Sequence, residues 1–399
     1  MRHFPLLFLG LLLLMALGDG YLNQPLPWLL QTNDATYFPF FTQHDTFPPL
    51  KMPFYKVEWR EVEAKTKLHS PCSYKPSQSE TQSFHSPLGT QTFQDTKGKQ
   101  QNLPLRYRHW LGTDENGQDV LSGIIHGANI SLKISLLSIV LLMIIGIYMG
   151  TIAGYYGDEQ LKYSLWQLLF ATISLGLGFF YGFYVPIYAL QTLFSEHSLL
   201  GLLLIFAIFI GIGLVTYSGM KLAKRLFPQA KTYSFPLDSL ILKLIETKNA
   251  LPALLWIMIA GMYLKGFYAL VGIIVFIGWT GIAQFTRLEV MKLRAQTFVE
   301  AAQALGLTEI RIITHHILRN ALTPVISILL LSVSTIILLE SSLAFLNIGV
   351  TAGEATWGGL LEQARRNNID KWWLILFPTL MISLTVISLY QLAKRKKSG

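Results

Sequence analysis

Apolar residues in this chain gather into long runs broken by short polar stretches, without the regular apolar–polar alternation of elements that have one face in water. A helix needs about 20 mostly apolar residues to cross a bilayer. Runs that meet or approach this length lie at about 4–18, 131–153, 164–190, 199–219, 250–266, 268–285, 322–346 and 372–393. They predict an all-α integral membrane protein with about eight transmembrane helices. The first run is short. It reads as an uncleaved anchor helix, although Arg2, His3 and the Gly18-Asp19-Gly20 ending also suit a signal-peptide core. Between the fifth and sixth runs only Lys265-Gly266 interrupts, with Lys265 placed to reach the interface.

Charge orients the spans. Short cytoplasmic loops collect Lys and Arg. The loop after 219 holds Lys221, Lys224, Arg225, Lys231, Lys243 and Lys248, and the loop after 285 holds Arg287, Lys292, Arg294, Arg311 and Arg319. The tail ends Lys394-Arg395-Lys396-Lys397, whereas residues 191–198 contain no Lys or Arg. Eight spans with both termini in the cytoplasm satisfy all four observations. Arg365, Arg366 and Lys371 then lie outside and weaken the bias without reversing it.

Composition agrees with the pattern. Only 14% of residues are charged and the mean hydropathy is +0.42, against roughly 25% charged in soluble domains. The excess of 32 Lys and Arg over 23 Asp and Glu follows from basic loops rather than nucleic-acid binding. Cys72 is the single cysteine, which excludes an intrachain disulfide and any cysteine-built metal site.

The implied organisation is an anchor helix at 1–20 and an extracytoplasmic segment at 21–125. A first core span follows at 126–157, then an inserted two-span hairpin at 158–235. The remaining core at 236–393 contains a cytoplasmic loop at 286–320, and a basic tail closes the chain at 394–399. The extracytoplasmic segment is rich in Pro, Gln, Ser, Thr and aromatic residues, with the run Lys75 to Gln101 reading as loop. Gly146, Gly150 and Gly154 form a small-residue stripe on the second span, and Gly178 and Gly182 repeat the spacing on the third.

Enzyme templates fail. The chain has no G-x-S-x-G and no H-E-x-x-H, and His315-His316 are adjacent rather than spaced to share a metal on one helix face. Gly112-Thr113-Asp114-Glu115-Asn116-Gly117-Gln118-Asp119 has the glycine spacing of a phosphate loop but lacks its Lys, and its aspartates would repel phosphate. No cofactor or metal site is expected in this chain. Asp114, Asp119 and His126 form the one conceivable catalytic cluster, although Asp119 reads equally well as the N-cap of the next helix. Glu340 is the main ionisable residue inside a span. At 1.5 Å per residue it lies about 27 Å along its helix, near the outer boundary. That suits a hydrogen-bonded contact at an outer gate better than a proton relay.

The informative loop runs from Thr297 to Pro324. Thr297 and Glu300 have capping-box spacing and Gly306 stands where a left-handed C-cap is wanted. This predicts a short helix closed at both ends, its Ala301-Ala302 face small enough to enter a groove, with a second helix at roughly 309–319 leading into the seventh span.

Glu300-Ala301-Ala302, Gly306, His316-Ile317-Leu318 and Asn320-Ala321-Leu322 closely resemble the EAA coupling motif of ABC-importer permeases. Leu111 to Ser122 resembles the extracytoplasmic signature of the C-type permease subunit of the dipeptide/oligopeptide/nickel family. Ala153-Gly154-Tyr155-Tyr156-Gly157, Leu338 to Leu346, and Trp357-Gly358 with Trp372-Trp373 and Phe377-Pro378 follow in the family's order. The chain departs from the family at Gln118, where Arg is usual, and at Arg319, where Pro is usual. It also lacks the usual Gly-Asp tail, and it carries the insertion between Gly157 and Asp238.

The resemblance implies a permease subunit of the prokaryotic inner membrane that moves short peptides, or nickel or another small solute, by alternating access. It implies a second related permease, two cytoplasmic ATPases that bind ATP and magnesium, and an extracytoplasmic substrate-binding protein. Glu300, Ala301, Ala302, Gly306, Ile317 and Asn320 would couple to the ATPases. Gly112, Thr113, Asp114, Gly117 and Asp119 would shape the outer face. The rival readings are a secondary transporter or a polytopic membrane enzyme, either acting without an ATPase.

Overall fold

In the computed structural model, the described residues are 4–23, 108–181, 198–263, 266–348, 355–366 and 371–397, with short strands and turns between 29 and 102. Helices dominate: α1 (Phe4–Leu22), α2 (Val120–Tyr156), α3 (Leu165–Phe179), α4 (Ser198–Leu226), α5 (Leu237–Ala250), α6 (Ala253–Tyr263) and α7 (Phe267–Arg294). After them come α8 (Thr297–Ala304), α9 (Glu309–Phe345), α10 (Trp357–Arg366) and α11 (Trp372–Lys397). Every predicted span contains one of these helices. Four of them, α2, α7, α9 and the described part of α11, are long and apolar enough to cross a membrane.

The fifth predicted span, 250–266, differs from expectation. Its helix α6 has 11 residues, about 16 Å of rise, and cannot cross alone. Pro252 has no N–H and steers Leu251 away from helix, so the chain breaks between α5 and α6. Lys265 lies outside the described residues, as do Cys72 and much of 164–190 beyond α3.

The fold resolves into two compact units. The larger comprises Met1–Thr151 and Lys248–Gly399. At its centre Leu142 of α2, Ile274 of α7, and Val325, Leu329 and Ile336 of α9 are buried together. Helix backbones approach closely where glycine permits. A Cβ on Gly150 would stand 2.4 Å from the Ala283 carbonyl, and one on Gly146 2.6 Å from Ile282, so this stripe seats α2 on α7. A Cβ on Gly358 would meet the Ser341 carbonyl at 2.1 Å, which seats α10 on α9. The Trp357 indole is fully buried and donates to the Ile124 carbonyl at 2.9 Å. Helix α1 packs along α11. It is pinned to α2 by His126 Nδ1 on Asp19 Oδ2 at 2.7 Å, and by Asn129 donating to the Ala16 carbonyl at 2.6 Å.

The second unit, Ile152–Thr247, is a helical hairpin. Trp166 stacks on Phe227 at 4.4 Å, while Gly178 faces Ile212 and Gly219 faces Ser174, so α3 and α4 run antiparallel with glycines at the contact. Strands Lys162–Ser164 and Thr232–Ser234 pair at its base, with Tyr163 opposite Tyr233. Below them Asp158 accepts from the Ser239 backbone N–H at 2.9 Å and hydroxyl at 2.5 Å. The residues predicted as an insertion, 158–235, fall within this unit.

In the segment between α1 and α2, Leu29–Gln31 pairs antiparallel with both Thr36–Tyr37 and Thr66–Leu68. Two further pairs, Thr46–Phe47 with Met52–Pro53 and Thr92–Gln94 with Gln100–Asn102, are also antiparallel. The second of these lies within the run read from sequence as loop.

Candidate functional site

The loop between α7 and α9 folds as one rigid element. Chain direction reverses at Ala295, where the Gln296 N–H bonds the Leu293 carbonyl. Gln296 is extended (φ −88°, ψ 147°) and is itself the N-cap of α8, without a side-chain cap bond. Thr297 is therefore already helical, and the expected Thr297–Glu300 capping box does not form. The C-terminal end matches expectation. Gly306 has φ +73°, Gly306 N–H bonds the Gln303 carbonyl at 2.9 Å and Leu307 N–H bonds the Ala302 carbonyl at 3.2 Å, a Schellman motif.

Val299 and Ala302 face inward and are buried, as are Ile312 and Ile317 of the adjoining segment. Ala301 and Glu300 face outward. The expected Ala301-Ala302 docking face is thus divided, because adjacent helical residues point about 100° apart. Phe298, Leu305 (81% exposed) and Ile310 (73% exposed) complete the outer surface. Exposed apolar side chains gathered beside a short helix suit a protein contact. Sequence reading passed over these three residues; their signal was apolar side chains in an otherwise polar loop.

The second loop helix is not separate. Glu309–Phe345 is continuous, with a π-helical turn at Ile312–Ile317, so the loop is joined to the span without a linker. Ile317 is enclosed within that turn. Pro324 cannot donate to the Asn320 carbonyl, and the Asn320 carboxamide donates to the His316 carbonyl at 2.7 Å. His315 Nδ1 lies 2.8 Å from the Thr314 hydroxyl, and no group of side chains able to hold a metal occurs among the described residues.

The second candidate group, Gly112 to Asp119, is a buried knot at the start of α2. Asp119 Oδ2 accepts from Ser122 N–H at 2.8 Å, the N-cap expected of it, and its Oδ1 lies 2.9 Å from Nδ1 of buried His109. Asp114 Oδ1 accepts from the backbone of Asn116 at 2.9 Å and Gln118 at 2.8 Å. Burial pushes the Asp114 pKa up, and these bonds with Gln363 pull it back in part. Gly112 (φ +82°) and Gly117 (φ +73°) turn the chain. A Cβ on Gly112 would collide with the His85 carbonyl, and Thr113 accepts at its carbonyl from Trp373 Nε1 at 3.1 Å. Asp114, Asp119 and His126 do not converge: Asp119 meets His109, Asp114 meets backbone, and His126 meets Asp19. The conceivable catalytic cluster is absent.

Glu340 is fully enclosed, its Oε2 accepting from the Ser131 hydroxyl at 2.8 Å and the Ser341 hydroxyl at 3.3 Å.

Comparison with known proteins follows the same residues. Residues 229–396 match the family described as binding-protein-dependent transport system inner membrane component. The chain is 24% identical over 289 residues to the dipeptide transport system permease protein DppC of Bacillus subtilis, covering 72% of this chain and 66% of that protein. It is 26% identical over 271 residues to the inner membrane ABC transporter permease protein YejE of Escherichia coli, covering 68% of this chain and 57% of that protein. With the oligopeptide transport system permease protein OppC of Bacillus subtilis it shares 23% over 279 residues, 70% of this chain and 66% of that protein. The chain thus spans about two thirds or less of these relatives.

Proposed function

We infer that this chain, whose residues 229–396 form an inner membrane component of a binding-protein-dependent transport system, is the membrane-spanning permease subunit of an ABC importer in the peptide-transport class. Short peptides lead as cargo, ahead of nickel or another small solute. The chain pairs with a second, related permease. Two cytoplasmic ATPases bind ATP and magnesium and hydrolyse ATP, and an extracytoplasmic binding protein delivers the cargo. Both termini are cytoplasmic.

The observation that carries this reading is the build of α8. The Schellman end at Gly306 and the buried Val299 and Ala302 fix the helix to its own chain. Phe298, Ala301 and Leu305 are left outside to enter an ATPase groove. A push on that surface passes through Ile312 and Ile317 directly into α9. Two packings of the spans, selected by the nucleotide state of the ATPases, would then open the pathway to one side or the other. The gating motion is carried by Glu300, Ala301, Ala302, Gly306, Ile317 and Asn320, and the Gly112–Asp119 knot stiffens the outer end of α2.

Two measurements test this. Mild-detergent purification of the tagged native complex should recover an ATPase and a second permease; a functional chain that purifies alone would overturn the reading. Gly306→Val places a β-branched residue at φ +73°, at a cost of roughly 1–2 kcal/mol. It should leave insertion intact while ATP hydrolysis no longer drives uptake. Unchanged uptake per ATP would remove α8 from the coupling path.

A further inference from the structure

Lys248, counted by sequence among the loop cations, lies elsewhere in the fold. Its ammonium donates to the Ile277 carbonyl of α7 and reaches the Thr280 hydroxyl at 3.4 Å and the Asn249 carboxamide oxygen at 3.3 Å. Ile277 is ten residues from Phe267, where α7 begins, and ten from Arg287, its first basic residue. At 1.5 Å per residue that is about 15 Å from either boundary, the middle of the bilayer.

All three acceptors are neutral, and no carboxylate pairs with Lys248 among the described residues. Its hydrogen bonds are satisfied but its charge is not. Such a residue inside a membrane is expensive and faces a bundle interior or a water-filled cavity.

A second, independent feature lies at the same depth. The break between α5 and α6 falls just after Lys248, and Trp256 beyond it donates to the Lys248 carbonyl at 3.1 Å and packs edge-on against Phe276. Asn249, Ala250, Leu251 and Pro252 are exposed. Irregular backbone at membrane depth is tolerated only when buried in protein or lining a cavity. On α7 the stripe through Ile277 and Thr280 continues to Gly281 and Gln284, both exposed, with open space above Gly281. A cation, an uncovered break and the buried Thr280 hydroxyl therefore lie together, with Gly281 and Gln284 exposed on the following turn of α7.

We propose that Lys248, with the break at residues 249–252 and Thr280 of α7, forms a cationic site halfway along the translocation pathway that receives a carboxylate of the transported solute. This rests on the permease reading above. The solute brings the missing counter-charge and leaves with it, whereas the neutral acceptors on α7 hold the ammonium between cargoes. A single cation with neutral neighbours suits passage, because a second fixed charge would hold the solute.

The experiment uses the full complex reconstituted in vesicles, with Cys72→Ser removing the native thiol. Asn249→Cys should react with membrane-impermeant methanethiosulfonates, the anionic sulfonatoethyl reagent outpacing the cationic trimethylammonium reagent by roughly tenfold. Adding Lys248→Gln should abolish that preference, and Lys248→Arg should retain it. This arm needs no knowledge of the cargo. In transport, trialanine should enter faster than trialanine amide, and Lys248→Gln should equalise the two rates. No labelling in an intact complex, or a charge preference unchanged by Lys248→Gln, overturns the proposal while leaving the permease reading untouched. Loss of the second permease from Lys248→Gln preparations, with Lys248→Arg retaining it, would show a partner carboxylate as the counter-ion and also overturn it. A complex that lacks an ATPase defeats the permease reading instead.

Discussion

Asp114 shows what a single residue contributes to the start of α2. Its carboxylate is buried and yet holds two backbone N–H groups on one oxygen, Oδ1. Burial is the larger influence, so its pKa stands above the ordinary aspartate value. The sign follows: the folded protein holds this proton more tightly than the unfolded chain does. The resulting stabilisation is complete below the unfolded pKa and lost as pH rises through the folded one. Asp114→Asn keeps an oxygen acceptor for both N–H groups and removes the charge. Thermal unfolding in detergent across the acidic range should show this variant gaining stability relative to the native chain as pH rises. A constant difference would mean that the charge is already compensated. Residue chemistry of this kind was legible where it is local. The Asp119 cap and the left-handed Gly306 follow from the needs of helix ends. The Thr297 cap did not form because the turn out of α7 at Ala295 sets where α8 begins, and periodicity carries no record of that turn.

At the scale of elements, contact distance between helices is set by glycine. Gly150 sits where α2 crosses Ala283 and Thr286, with no room for a Cβ. Gly150→Leu should separate α2 from α7 at a cost of about 1–3 kcal/mol, the usual penalty of overpacking. Gly281→Ala, on the same α7 but with nothing within 4 Å, should be silent. Comparing the detergent unfolding temperatures of the two variants checks this; equal effects would mean that the stripe carries no packing. The spacing of Gly146 and Gly150 was visible in sequence, and so was each apolar run. The break at Pro252 was not, because hydropathy sums over a window and cannot separate one crossing from two half-helices. For the same reason Lys248 read as a loop residue, although α7 holds it at mid-depth. The lead of the 309–319 helix into the span was legible, whereas the π turn at Ile312–Ile317 that makes the two one helix was not.

For the whole molecule, the question is what the hairpin at 158–235 adds to the proposed permease. Its helices close on each other through Trp166–Phe227 and the Gly178 and Gly219 contacts, and their other faces present Leu169, Ile173, Leu214 and Tyr217 outward. Apolar side chains exposed around both helices suit lipid. The base is closed separately by Asp158 and Ser239, so the strands above it can be cut without touching those bonds. The hairpin's two apolar runs leave together, and if both cross the membrane their loss preserves the side on which α8 and the basic tail emerge. Replacing residues 162–234 by a short Gly-Ser linker should therefore leave the C-terminus on the same side as in the native chain, as read by a fused reporter. On the permease reading proposed above, the variant should still co-purify with ATPases and couple ATP to uptake. If coupling survives, the hairpin is a peripheral lipid-facing addition to a complete core. If insertion and ATPase binding survive but the second permease is lost, the hairpin's apolar surface belongs to the subunit interface and the lipid assignment fails.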